Sequence, residues 1–341
     1  MANHDIIVIG ASAGGVEALK EIVAGFPNDL PAAVLVVLHV SPHGTSVLPA
    51  ILSRAGVLPA VHAADGQLLE LGKIYVAPPD HHLLVTNGYA ALSRGPRENG
   101  HRPAVDPLFR TAARRYGARV IGVVLSGVLD DGTAGLLAIK ARGGICVCQD
   151  PEDAMYRAMP QNAIETVGVD HTAPAATMAD LLTRLANLPV ETGQAPVSED
   201  MELESDIAEG EPAQPLGVPS GFVCPECGGT LWEIHEQDMI RFRCRVGHAY
   251  SPQTLMAHQS DALEEAFWAA LRALEERAAL ATRMASRAVQ NNHQHIAARY
   301  REEAAEAEQR ADLIRSVLLN TTADKEEPDE PNTADDLSQT G

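Results

Sequence analysis

The sequence predicts an α/β protein: a doubly wound, mostly parallel sheet with helices on both faces, followed by a small zinc-ribbon module and a C-terminal α-helical hairpin. Three observations carry this. Up to about residue 190, short apolar runs alternate with amphipathic stretches, a pattern that folds as strands crossed over by helices. Near residue 224, two cysteine-bearing knuckles flank a strand-length hairpin. Beyond residue 251, two apolar stripes recur at alternating spacings of four and three.

The alternation begins with IIVIG, then GGVEALKEIVAGF, then AAVLVVLHV, and resumes at ARVIGVVLSG, DGTAGLLAIKARGG and ICVCQ. Between them, KIYVAPPDHHLLVTNGYAALS reads as short strands around an Asn87-Gly88 hairpin turn, which makes the sheet mixed. Cys146 and Cys148 alternate on ICVCQ and read as small core residues.

Residues 191–217 combine Pro, Gly, Ser and acid with almost no aromatic side chains, the composition of a disordered linker. The ribbon is expected over 218–250 and the helical hairpin over 251–320. Ser251-Pro252 supplies an N-cap followed by proline at the first helical position. Leu263, Phe267, Ala270, Leu274, Ala278 and Ala281 form one stripe. Ile296, Tyr300, Ala304, Ala307, Ala311, Ile314 and Leu318 form the other, after the break at Gln290-Asn291-Asn292-His293. Two such stripes cover one another in an antiparallel hairpin, with dimerisation as the alternative. The acidic tail 321–341 is expected to be disordered.

The 341-residue chain is 45% hydrophobic and carries a formal net charge of -20. Fourteen of those charges fall in two short segments, Glu191 to Glu211 and Asp324 to Asp336, so the acidity describes solvated segments rather than a binding face. No stretch approaches the roughly 20 apolar residues that span a membrane, so membrane insertion is not expected. The N-terminus lacks the basic region of a secretory signal, and five cysteines make no disulfide ladder; both point to a reducing cytoplasm.

The turn GASAGG, residues 10–15, has two readings. A dinucleotide fingerprint requires glycine where Ser12 stands, and an acid at the end of the second strand where His39-Val40 stands, and both departures count against it. The other reading makes Ser12 a nucleophile held on a tight strand-to-helix turn with small neighbours. His39, at the next strand end, would be its base, and Asp130 or Asp131, past the strand VIGVVLSG, the carboxylate that orients the imidazole. Taken singly, a histidine after a strand is an ordinary solvated residue and Asp-Gly before a helix an ordinary turn, so the residues alone leave both accounts open.

GASAGG, VVLHVSP, HRPAVDPLF and LSGVLDDGTAG, in this order, resemble the catalytic domain of the chemotaxis receptor methylesterase family, over about residues 4–187. The resemblance implies hydrolysis of glutamate γ-methyl esters on chemoreceptor helices, releasing methanol, with glutamine deamidation as a second expectation. It implies a catalytic domain over 1–190 with the triad Ser12, His39 and Asp131, where Asp130 stands in a position the family commonly fills with Asn. It also implies an oxyanion site of backbone N–H groups, Ala13 beside the nucleophile and Val128 where Met is common. No cofactor is expected for this chemistry. The best-known members carry an N-terminal receiver domain, whereas this chain starts at the first esterase strand. A stand-alone form is therefore expected, its regulation falling to the C-terminal additions or to a separate response regulator or receptor methyltransferase.

In FVCPECGGTLWEIHEQDMIRFRCRVGHAY, Cys224 and Cys227 form one pair and Cys244 and His248 the other. Three thiolates and an imidazole in this spacing suit a closed, tetrahedral, structural zinc site; His235 is a competitor with poorer spacing. A redox-active C-x-x-C lacks the thioredoxin-like strand and helix it needs. Arg241, Arg243 and Arg245 alternate with Phe242, a thin footprint for nucleic acid beside Glu-rich helices, so a protein partner is expected. A second account of the whole is a non-catalytic scaffold of a chemosensory pathway, acting through the ribbon and the helices.

Overall fold

The computed structural model describes residues 3–190, 204–207, 217–236 and 239–325. The chain divides into two compact units, Met1–Leu255 and Met256–Gly341. The strands are β1 Ile6–Ala11, β2 Ala33–Leu38, β3 Ala60–His62, β4 Gln67–Leu68, β5 Ile74–Val76, β6 His82–Val85, β7 Tyr89–Ser93, β8 Val120–Val124, β9 Ile145–Gln149 and β10 His171–Ala173, followed by β11 Val218–Val223, β12 Thr230–Glu236, β13 Met239–Cys244 and β14 Ala249–Tyr250. The helices are α1 Gly15–Gly25, α2 Leu48–Ala55, α3 Val105–Tyr116, α4 Thr133–Ala141, α5 Ala158–Val167, α6 Ala175–Ala186, α7 Pro252–Gln290 and α8 Gln294–Lys325.

Seven strands form the central sheet in the order β10-β9-β8-β1-β2-β5-β3, and every pairing is parallel. The chain moves outward from β1 through β2, then returns to lay β8, β9 and β10 on its other side. The reversal opens a crevice at the C-terminal ends of β1 and β8, where open α/β sheets bind ligands. The expected mixed sheet is resolved differently: β5 joins the parallel sheet, while β6 and β7 pair antiparallel in a separate sheet ordered β4-β7-β6. Thr86 N–H closes the Asn87-Gly88 turn onto the Tyr89 carbonyl at 2.9 Å.

The buried strands are apolar on both sides, as a sheet covered on two faces requires. Ile7, Ile9, Val34, Val36, Ile121 and Val123 pack with Leu19, Ile22, Leu52, Met178 and Leu182 on one face. Ile6, Val8, Leu35, Val37 and Val124 pack with Phe109, Leu136, Ile139 and Met159 on the other. Burying each such side chain contributes roughly 1.5–3 kcal/mol. Cys146 and Cys148 are buried in the second layer, where desolvation pushes the Cys146 thiol up to about 12 and raises that of Cys148 further.

Strands β11 to β14 form an antiparallel sheet within the first unit. Phe242, Leu231, Tyr250, Cys224, Cys244 and Leu255 are its core. In the stretch read as a linker, residues 204–207 are helical, with Glu204, Ser205 and Ile207 buried; residues 191–203 and 208–216 lie outside the described residues. Composition missed this turn because what pairs with its buried Glu204 is the remote Arg241 and Arg243.

The helix α7 starts as its sequence predicts: Ser251 Oγ accepts the Thr254 N–H at 3.0 Å and Pro252 opens the first turn. In the second unit α7 and α8 pair antiparallel, with Leu271, Ala311 and Leu318 buried among Phe267, Leu274 and Ile314. Leu263 and Ile296 are exposed rather than in the seam. Helix α8 continues to Lys325, into the segment read as a disordered tail; residues 326–341 lie outside the described residues.

Candidate active site and metal centre

Ser12 stands between β1 and α1. Its N–H donates to the Ser126 carbonyl at 2.9 Å, and its own carbonyl accepts from Gly15 N–H at 3.0 Å. Gly14 turns the chain at φ 71, where a Cβ would come within 2.7 Å of Met155 Cβ and Ser126 Oγ. On the other side of the serine, Gly127 lies so close that a Cβ there would meet Ser12 Cβ at 2.8 Å and Met159 Sδ at 2.2 Å. Ser126 fastens the two loops together: its Oγ donates to the Ala13 carbonyl at 2.8 Å and accepts from Tyr156 N–H at 3.0 Å.

His39 follows β2, and its N–H donates to the Ala11 carbonyl at 3.1 Å. The ring meets Ser12 Oγ through Nδ1 at 3.2 Å and Asp131 Oδ2 through Nε2 at 2.7 Å. With the proton of Nε2 donated to the carboxylate, Nδ1 is the acceptor for the serine hydroxyl. The ring of His101 stacks on His39, centroids 3.7 Å apart and planes within 15°, which restricts the imidazole to one plane.

Asp131 follows β8, and the start of α3 holds its carboxylate. Val105 N–H donates to Oδ2 at 2.7 Å, Asp106 N–H to Oδ1 at 3.3 Å, and Asn99 Nδ2 to Oδ1 at 3.0 Å. A helix N-terminus favours an anion there. Burial by itself would raise this carboxyl, but the hydrogen bond and charge of His39, together with the Val105 N–H, hold it well below the usual carboxylate range. For the neighbouring Asp106, desolvation and the Asp131 charge act together and raise its carboxyl.

The structure brings Ser12, His39 and Asp131 together, and of the two adjacent aspartates that the residues alone left open it places Asp131, the one the family motifs favour, on the imidazole. Asp130 points away from the imidazole: its Oδ1 accepts from Ser251 Oγ at 2.6 Å and Thr254 Oγ1 at 3.1 Å. Ala13 and Val128 flank the serine from the two loops, and among the described residues neither N–H is spent on a hydrogen bond. Residue-by-residue reading missed Asn99, His101, Asp106 and Ser126. His101 and Asp106 lie within HRPAVDPLF and Ser126 within LSGVLDDGTAG, but nothing in those stretches shows what they touch; Asn99 carries no local sign at all.

Cys224, Cys227, Cys244 and His248 converge as the spacing predicts, their ligand atoms all within 4.8 Å of one another. Cys227 Sγ and Cys244 Sγ are 3.7 Å apart, and His248 Nδ1 is 3.6 Å from the sulfurs of both Cys224 and Cys244. Zinc–ligand bonds of about 2.3 Å to sulfur and 2.0–2.1 Å to nitrogen give tetrahedral edges of about 3.8 and 3.6 Å, so the donor set fits that ion. His248 Nε2 faces Glu226 Oε2 at 3.2 Å, the carboxylate support that metal-bound imidazoles use. His235 is outside the cluster and pairs with Glu233.

Arg241 and Arg243 are buried and not offered to nucleic acid. They meet Glu98 and Glu204, while Phe242 between them faces the ribbon core and Arg245 is exposed. Among the described residues no helix is long and apolar enough to cross a membrane.

A serine, histidine and carboxylate hydrogen-bonded in series at the switch point of a doubly wound sheet define a site of the serine-hydrolase kind. The CheB methylesterase family matches residues 7–182, and the chain belongs to that family. Over 190 residues it is 36% identical to a protein-glutamate methylesterase/protein-glutamine glutaminase of Methanosarcina mazei, covering 53% of this chain and 52% of that one. Over 184 residues it is 37% identical to a putative enzyme of the same description from Leptospira interrogans, covering 54% of this chain and 95% of the relative. The chain thus spans about half the length of the first relative and nearly all of the second. The crystal structure of the Thermotoga maritima CheB methylesterase catalytic domain is similar at a TM-score of 0.52 and 34% identity, covering 54% of this chain and all of that one.

Proposed function

We propose that the protein is a protein-glutamate methylesterase that hydrolyses glutamate γ-methyl esters on chemoreceptor helices to glutamate and methanol, with glutamine deamidation at similar positions as a second activity, and that it works in the cytoplasm. The observation that carries this reading is the chain of contacts from Ser12 Oγ to His39 Nδ1 at 3.2 Å and from His39 Nε2 to Asp131 at 2.7 Å. The names of the relatives supply the substrate class.

Ser12 Oγ attacks the ester carbonyl carbon as Nδ1 of His39 takes its proton. The carbonyl oxygen gains the negative charge and is held by the Ala13 and Val128 N–H groups. Collapse of this intermediate breaks the bond to methoxide, which leaves as methanol with the proton from Nδ1. A water then gives a proton to Nδ1 as it attacks the acyl-serine, and the proton returns to Ser12 as glutamate departs. Asp131 stabilises the imidazolium in both halves. Each oxyanion donor contributes about 3 kcal/mol of transition-state stabilisation.

The ribbon residues Cys224, Cys227, Cys244 and His248 would hold a structural zinc ion, which when bound crosslinks the two knuckles of a segment too small to be stable by its own core. The esterase chemistry needs no cofactor in this reading.

Mass spectrometry of a methylated receptor fragment tests the activity. Wild type removes methyl groups and Ser12→Ala removes none; retention of the methyl groups by both would leave the scaffold account. Zinc content tests the ribbon separately, with about one ion per chain in wild type and none in Cys224→Ser.

A further inference from the structure

The ribbon ends against the triad. Asn99 is 3% exposed and sits at φ 51, in the left-handed region that asparagine tolerates. Its side chain faces two ways. Nδ2 donates to Asp131 Oδ1 at 3.0 Å and Asp106 Oδ2 at 3.2 Å, while Oδ1 accepts from Ser251 N–H at 3.1 Å. Its backbone N–H donates to the carbonyl of Ala249 in β14 at 2.7 Å, and Ala249 N–H returns to the Arg97 carbonyl at 3.3 Å. One residue therefore links the last ribbon strand to the carboxylate that orients His39.

Two further contacts sit on either side of this link. Asp130, the immediate neighbour of Asp131, is bound by Ser251 Oγ and Thr254 Oγ1. Glu98, the immediate neighbour of Asn99, is buried with Arg110 of α3 and with Arg241 and Arg243 of β13, and Glu204 completes the group. The three cations hold the Glu98 carboxyl well below its usual range against the cost of its burial. Removing either glutamate would leave buried arginines without their partner, so the cluster favours one docked position of the ribbon.

The link also starts at the metal knuckle. His248 precedes Ala249, and its carbonyl accepts Cys244 N–H at 3.0 Å, so the geometry that fixes the ligands fixes the start of β14.

We propose that Asn99 is a positioning residue for Asp131 and that it is aimed by β14 of the ribbon, so that the metal-binding module is a structural part of the esterase site. This rests on the activity proposed above. It goes beyond that activity in making the order of the metal site a condition for full turnover. Loss of one buried hydrogen bond to a charged group corresponds to a fall of about tenfold or more.

The test uses the full chain as wild type, Asn99→Ala, Cys244→Ser and the double variant, with two readouts. Methanol release from a methylated receptor fragment gives kcat and KM. The downfield proton resonance of His39 Nε2–H, donated to Asp131, reports the triad geometry whether or not that substrate is turned over. Each single variant is expected to lower kcat about tenfold with KM unchanged and to shift or broaden the resonance, and the double variant to be no worse than the more impaired single one, because both break the same link. If Cys244→Ser does not fold, wild type stripped of zinc by a chelator takes its place. An unchanged resonance in either single variant, or multiplying losses in the double, overturns the proposal. Wild type that keeps the resonance but releases no methanol refutes the esterase reading instead; the resonance then decides the link by itself.

Discussion

At the scale of single residues, the site depends on close approach as much as on the reacting groups. Gly127 has no side chain because Ser12 Cβ and Met159 Sδ occupy the space one would fill. Gly127→Ala should displace the serine by several tenths of an ångström and lower kcat about a hundredfold, and the crowding of the buried Met159 should also cost about 1–3 kcal/mol of stability. Steady-state kinetics beside a thermal melt would separate the two effects. The buried carboxylates make a second prediction. Glu98, Glu204 and Asp131 all have folded-state values depressed below their unfolded ones. Their contribution to stability is therefore complete above about pH 4–5 and is lost as pH falls through the folded values. Asp106 and Asp130 have raised carboxyls, whose gain on protonation is complete by about pH 4, so below that the loss is unopposed: the urea midpoint of the first unit should fall between about pH 4 and pH 2, and an unchanged midpoint over that range would contradict the assigned pairing.

At the scale of elements, how much was legible depends on where the information lies. The strands β1, β2, β8 and β9 and the helices between them follow from apolar runs and spacing, because their partners on both faces are equally apolar. The cysteine knuckles were legible for a similar reason: ligand spacing is a local property, and His248 falls where the second knuckle requires it. The three-stranded sheet was not, since which sheet a short strand joins depends on what lies beside it. The helical seam was legible in part. Ala278, Ala281, Ala304, Ala307 and Ala311 are buried as the stripe predicts, but Leu271 replaces Leu263 in the seam. Leu271→Ala should cost the hairpin about 2–3 kcal/mol, whereas Leu263→Ala should change its stability by less than about 0.5 kcal/mol. Chemical denaturation followed by helical circular dichroism would check both.

At the scale of the whole molecule, the two compact units call for separate behaviour. The ribbon belongs to the first unit, with its arginines buried against Glu98. Removing the zinc ion proposed for the ribbon should therefore lower the calorimetric transition of residues 1–255 and leave that of the α7–α8 pair unmoved. A single transition shifting as one would contradict this division.

The sequence by itself determined the classes of element and the four members of the Cys/His cluster, because periodicity and ligand spacing are written within a few residues of one another; it brought Ser12 and His39 to strand ends and narrowed the carboxylate to Asp130 or Asp131, with the family motifs pointing to Asp131. The tertiary structure decided which of two adjacent aspartates faces the imidazole, which nitrogen of His39 faces the serine, and that three arginines from distant elements share two glutamates. Those outcomes depend on partners up to about 150 residues away in the chain, as Ser251 is from Asn99. The stretch read as a linker shows the same limit, for a buried Glu204 and a solvated one have the same local sequence until Arg241 and Arg243 are brought beside it.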